Sequence, residues 1–177
     1  MRCLGGKVRM SLSMYQASVP VFRHQLGAIS KILSKAEAQA EARKWDPTVL
    51  IQARLYPDMF PLSRQIQIAA DAAKGAVARL AGVDTPAYAD TEVTFAELRE
   101  RCSRTIDFLD GFSADQIDGS EEREIILSLR GASVAFKGQQ YLLGFALPNF
   151  YFHLTTAYDI LRHCGIELGK RDFLGAN

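Results

Sequence analysis

The chain has 177 residues, 48% hydrophobic and 23% charged, and its 21 basic and 20 acidic residues leave a formal net charge of +1. Scattered Arg and Lys with so little net charge build no strong positive field, which excludes nucleic acid and acidic membrane surfaces as expected partners. Three widely spaced cysteines (Cys3, Cys102 and Cys164), with no CxxC pair, exclude a disulfide framework.

Residues 1–9 are expected to be a non-core extension, with residues 10–177 forming a single domain. There is no secretory signal and no apolar run of about eighteen residues, so the cytoplasm is the expected location.

Tyr15, Val19, Phe22, Leu26, Ile29 and Leu33 recur at three- and four-residue intervals, predicting an amphipathic helix over 13–35. Pro20 either kinks that helix or marks its true start. The Ala/Glu-rich stretch 35–44 continues it or forms a short helix of its own. A connector from Trp45 to Pro61 follows, and its three prolines predict irregular backbone packed onto the body by its aromatic and aliphatic content.

The second long helix is predicted over 62–80, with Pro61 in its first turn and Gly82 ending it. Asp58 is expected to cap it. Its alanines let a neighbour approach closely. Thr94-Phe95-Ala96-Glu97 is a capping box that opens a third helix to about Asp110, ended by Gly111. That helix should bury Phe95, Leu98, Cys102, Ile106 and Leu109.

Apolar Ile125 to Leu129, a turn at 130–133, and Val134-Ala135-Phe136 predict a two-stranded hairpin. Such a ribbon is marginal alone, so it must lie against the helices. A fourth helix is predicted over 139–164, disturbed at Pro148 and stopped by Gly165. The expected architecture is all-α: a four-helix bundle with one short β-hairpin between its third and fourth helices.

Chemistry concentrates in that last helix. Asn149 and His153 are one turn apart on a face otherwise apolar, so both are expected to point inward and to need partners. The second helix offers Gln65, which periodicity turns inward, and Gln67, which it turns largely outward. Asp71 is expected to be solvated. His24 should face water and His163 should sit at a helix C-terminus, so the three histidines do not converge. Cys164 is expected to be an inert core thiol, and Phe145, Phe150, Tyr151 and Phe152 core or groove lining. There is no phosphate-binding Gly-rich loop, HExxH or nucleophile elbow.

Three blocks, ARLYPDMFPLSRQIQIAADAAKGAVARLAG, TFAELRER and GQQYLLGFALPNFYFHLTTAYDILRHCGIELGKRDFLG, carry a resemblance to the DinB/YfiT-like superfamily. Within it, the chain resembles a bacterial family of unknown function. The resemblance implies a bundle of the up-down-down-up type. In metal-binding members a zinc or nickel ion is held by one histidine of the second helix and two at i, i+4 in the fourth. Those positions fall here near Gln65 or Gln67, on Asn149 and on His153, so only one imidazole is retained.

The leading expectation is therefore a metal-free His/Asn/Gln cluster that binds a small polar ligand, with no cofactor. The alternatives are a metal-dependent hydrolase or thiol-dependent transferase using His153, with zinc or nickel, and a non-catalytic homodimeric scaffold. A homodimer is expected through the small-residue second helix and the apolar connector 48–60.

Overall fold

Pro20 opens the first long helix rather than bending it. In the computed structural model, which describes residues 12–129 and 131–176, α1 runs Val19–Arg43 without a break. Pro20 lies in the first turn, where its missing N–H has no intrahelical partner to lose. The Ala/Glu-rich stretch continues α1 to Lys44, whose left-handed backbone (φ 56°) ends the helix. The extension expected over residues 1–9 lies outside the described residues.

The connector is less irregular than its prolines suggest. Pro47–Gln52 forms a short helix, α2. Asp46 accepts the Thr48 N–H at 2.9 Å and Pro47 occupies the first helical position, a combination that starts a helix instead of breaking one. Leu50 and Ile51 anchor α2 in the core, while Val49, Tyr56 and Phe60 stay exposed.

Helix α3 spans Leu62–Ala81 and stops at Gly82 in the left-handed region (φ 72°). Asp58 does not cap it; its N-cap is Pro61, with no side-chain bond. Ala69, Ala70, Ala73, Ala76 and Ala78 are all fully buried. These alanines therefore serve contacts within this chain, chiefly with α4 and α7. Helix α4, Phe95–Asp110, begins with the expected capping box: Glu97 N–H donates to Thr94 Oγ1 at 3.2 Å, and the Thr94 N–H donates back to the Glu97 carboxylate at 2.9 Å.

A four-residue helix α5 (Ala114–Ile117) leads to the hairpin of β1 (Glu124–Leu129) and β2 (Ala132–Lys137). The strands pair antiparallel with Ile125 opposite Phe136 and Leu127 opposite Val134. Strand β2 begins at Ala132, so the reversal is tighter than the four-residue turn expected. Ile125 and Leu127 are buried and Ile126 is exposed, the period-two alternation of a ribbon lying on a core.

The fourth bundle helix is built from α6 (Gly138–Tyr141), one wide π turn (Leu142–Ala146) and α7 (Leu147–His163). Pro148 has no N–H to give the carbonyl four residues back, and the ladder re-registers just upstream of it. Helix α7 ends in a Schellman motif: Gly165 (φ 87°) donates to Arg162 and Ile166 to Leu161, both at 3.1 Å. A last short helix, α8 (Lys170–Phe173), folds back on α1.

Helices α1, α3, α4 and α7 thus make a four-helix bundle, with the tightest packing between α3 and α7 and between α1 and α4. One continuous core runs through it, where Phe22 and Phe150 meet edge to face at 4.9 Å. Among the described residues no helix is long and apolar enough to cross a membrane.

Candidate functional site

The α3–α7 seam brings together two of the residues singled out in the sequence. His153 (8% exposed) and Gln65 (2% exposed) meet across it, with Nδ1 and Oε1 only 2.6 Å apart. Gln65 is itself oriented, because its Nε2 donates to the Phe60 carbonyl at 3.0 Å. With its amide nitrogen directed at a carbonyl, its oxygen is the atom that faces the ring. Nδ1 must then carry the proton, and the neutral ring presents a bare lone pair at Nε2.

That lone pair is not used by the protein. The only sealed side-chain nitrogen or oxygen atoms without a partner among the described residues are Arg101 Nε and Ser120 Oγ. His153 Nε2 also has no partner, so it must reach solvent. Burial, assisted by the nearby positive charge of Arg64, pushes the imidazole pKa down from 6.5 to about 4. The ring is therefore neutral at pH 7. Phe152 lies edge-on to it at 5.3 Å.

Asn149, one turn earlier on α7, opens elsewhere. It is half-buried, makes no side-chain hydrogen bond, and lines an open groove of about 420 Å³ between α3, α7 and the hairpin. Neither Gln65 nor His153 lines that groove. The one-turn spacing put both α7 residues on one face but not in one contact. Across the groove Arg79 Nη1 donates to the Tyr141 hydroxyl at 3.1 Å, and Tyr141 stacks on Phe145 with ring centroids 6.0 Å apart. Neither Arg79 nor Tyr141 carries a local sequence signal that would have singled it out.

Gln67 corrects the outward reading: it is 5% exposed. The segment 83–93 lies over that side of α3, and Gln67 Nε2 donates to Glu92 at 2.9 Å while its Oε1 accepts from Arg64 at 3.2 Å. Gln67 is thus part of the clamp on this segment and not of the His153 pair. Asp71 is half-buried rather than freely solvated, and accepts from Lys74 at 2.6 Å and from Arg101 at 2.9 Å.

The remaining candidates disperse. His24 is exposed and its Nε2 lies 2.9 Å from the Leu174 carbonyl; His163 is exposed as the last residue of α7. Cys164 is partly exposed at an apolar hollow with Trp45 and Val49, not sealed in the core; desolvation still raises its pKa. Phe150 is core and Phe145 lines the groove, but Tyr151 and Phe152 are exposed.

Among the described residues no three His, Cys, Asp or Glu side chains come together as a metal site. A zinc or nickel ion at His153 would meet one imidazole nitrogen and a carboxamide oxygen already bonded to that ring. Such a donor set does not fit a borderline transition metal, which takes several imidazole, thiolate or carboxylate ligands.

The matching family model is described as a domain of unknown function (DUF1993) and spans residues 14–174. Among solved structures, the chain is similar to the crystal structure of a DinB family member protein from Shewanella denitrificans. The two are 43% identical over 92% of each chain, with a TM-score of 0.83. No curated protein matches.

Proposed function

The chain belongs to the DUF1993 family and is DinB-like, and from that premise we propose that it binds a small amphiphilic molecule along the α3–α7 seam, without a resident transition metal. One observation carries this reading: the His153 Nε2 lone pair is neutral, aimed by Gln65 and used by no protein group. Because Nε2 reaches solvent, water occupies it in the free protein, and a ligand donor can replace that water. One turn along the same face, the Asn149 carboxamide is equally unpartnered and opens into the groove. His153 lies outside that groove, so a ligand that satisfies both must extend about 6 Å along the seam from Asn149 to Nε2, each bond worth about 0.5–1.5 kcal/mol.

Binding is favoured over proton-transfer catalysis by the same electrostatics. A general base works best with a pKa near the working pH, and burial holds His153 near 4. At neutral pH the ring accepts hydrogen bonds readily and protons poorly.

A thermal-shift screen of small amphiphiles tests the proposal. A ligand should raise the melting temperature of the wild type by mass action and leave the His153→Leu, Asn149→Leu double variant unmoved. If nothing shifts the wild type, and the double variant is folded and more stable, the cluster is structural and the reading fails.

A further inference from the structure

We infer that the groove beside Asn149 selects an organic acid, seating its carboxylate on Arg79 and its apolar body against Phe145 and the hairpin. The inference rests on the groove being part of the binding site proposed above, and it adds the chemical class of the ligand.

Arg79 brings to the groove a charge that no carboxylate pairs. Its side-chain hydrogen bond goes to the neutral Tyr141 hydroxyl, and it forms no ion pair among the described residues. The neighbouring cations are fully answered: Arg64, Lys74 and Arg101 face Asp71, Asp90 and Glu92, three against three. Asp71 also lines the groove, but its Oδ1 accepts from both Lys74 at 2.6 Å and Arg101 at 2.9 Å, and it forms no ion pair with Arg79.

The guanidinium is held in place for a ligand. A Cβ at position 75 would come within 2.4 Å of Arg79 Nη1, so Gly75 leaves the space in which the side chain folds back along α3. With one N–H on Tyr141, most of the planar fork stays free for a bidentate carboxylate. Asn149 supplies an amide N–H at the same groove, and the Tyr141–Phe145 stack forms an aromatic wall beside it. One cation in a groove whose only carboxylate, Asp71, is held by Lys74 and Arg101 suits a monoanion with a ring or short chain; a phosphate dianion would call for more positive charge. The volume of about 420 Å³ lies in the range of small-molecule sites.

The test compares phenylacetate with its neutral isostere phenylacetamide on the full chain, by thermal shift with titration. Phenylacetate should stabilise the wild type saturably, with an affinity at least about tenfold above that of the amide, the difference expected of a charge-assisted bond. Arg79→Gln should erase the preference for the acid, and Tyr141→Phe, which keeps the ring, should retain it. Equal affinity for acid and amide on the wild type overturns the inference while leaving the groove reading intact. Silence toward both probes also overturns it, and the broader ligand screen then judges the groove independently. Should Arg79→Gln fail to fold, the wild-type comparison of acid with amide decides alone.

Discussion

Arg101 of α4 and Asp71 of α3 meet at 2.9 Å through a guanidinium that is 1% exposed, the largest fully buried side chain among the described residues. The same guanidinium reaches Asp90 at 2.9 Å, Glu92 at 2.8 Å and the Ala89 carbonyl at 3.0 Å. Three of these four acceptors belong to the extended segment 83–93. Tyr88 of that segment lies under three cations, with Lys74, Arg104 and Arg101 at 4.1, 4.5 and 5.6 Å from its ring centroid. A stretch with no helix or strand of its own is thereby tied to the bundle by charge. Burial opposes the charge on Arg101, but Glu92, Asp71 and Asp90 outweigh it and raise the pKa.

Arg101→Met should accordingly cost about 3 kcal/mol, because it leaves a set of acids short of their shared cation. Urea unfolding measures the loss, and limited proteolysis should show faster cleavage within 83–93. A change below about 1 kcal/mol would mean that the carboxylates simply turn to water and the clamp is dispensable.

Stability should carry a signature of His153 between pH 6.5 and about 4. The folded pKa of about 4 lies below the ordinary 6.5, so in this window the unfolded chain binds more protons. The contribution is complete above pH 6.5 and lost as the pH falls to about 4, a total on the order of 3 kcal/mol. His153→Leu removes this component and should show a flatter pH profile in parallel urea titrations. Identical slopes for the two proteins would refute a neutral buried imidazole.

Gln65→Leu strands two groups at once, the Nδ1–H of His153 and the Phe60 carbonyl. A buried orphan costs about 1–3 kcal/mol. The sharper readout is the tautomer: imidazole ¹⁵N shifts should report Nδ1–H in the wild type and a mixture in the variant. A wild type already protonated at Nε2 contradicts the orientation given to the amide.

Protein purified without a histidine tag should contain zinc and nickel well below one equivalent by elemental analysis. One imidazole and one engaged carboxamide do not make a high-affinity site for either ion. Stoichiometric metal that survives dialysis would return His153 to the role of ligand.

What could be read in advance follows from how local each signal is. The capping box at Thr94 and Glu97, the stops at Gly82 and Gly165, and the disturbance at Pro148 depend on a few neighbouring residues, and each appears where its chemistry puts it. Asp46-Pro47-Thr48 was equally local, yet α2 is hidden when the prolines are weighed only as breakers. Gln65 was legible because its burial follows from the face of its own helix. Gln67 was not, because the cover over it comes from residues 83–93, whose path no periodicity describes. The turn relating Asn149 to His153 sets direction but not depth, and about 6 Å along α7 separates a contact from a groove. Arg79 is distinguished by forming no ion pair although Asp71 lines the same groove, a property of the folded chain alone.

Glycines offer a last pair of opposed predictions. At Gly138, where β2 turns into α6, an added Cβ would fall 1.9 Å from the Ser120 carbonyl oxygen, which belongs to rigid backbone. The Gln139 N–H bonds the Glu121 carbonyl at 3.0 Å beside it, so the two strands of chain cannot part without losing that bond. Gly138→Ala should therefore destabilise by about 1–3 kcal/mol or more. Gly27, inside α1, has nothing within 4 Å of its would-be Cβ and an ordinary helical backbone. There alanine only restricts the unfolded chain and should stabilise by about 0.5–1 kcal/mol. Chemical denaturation of both variants against the wild type decides the matter: shifts of the same sign would show that the hairpin junction is looser than its packing indicates.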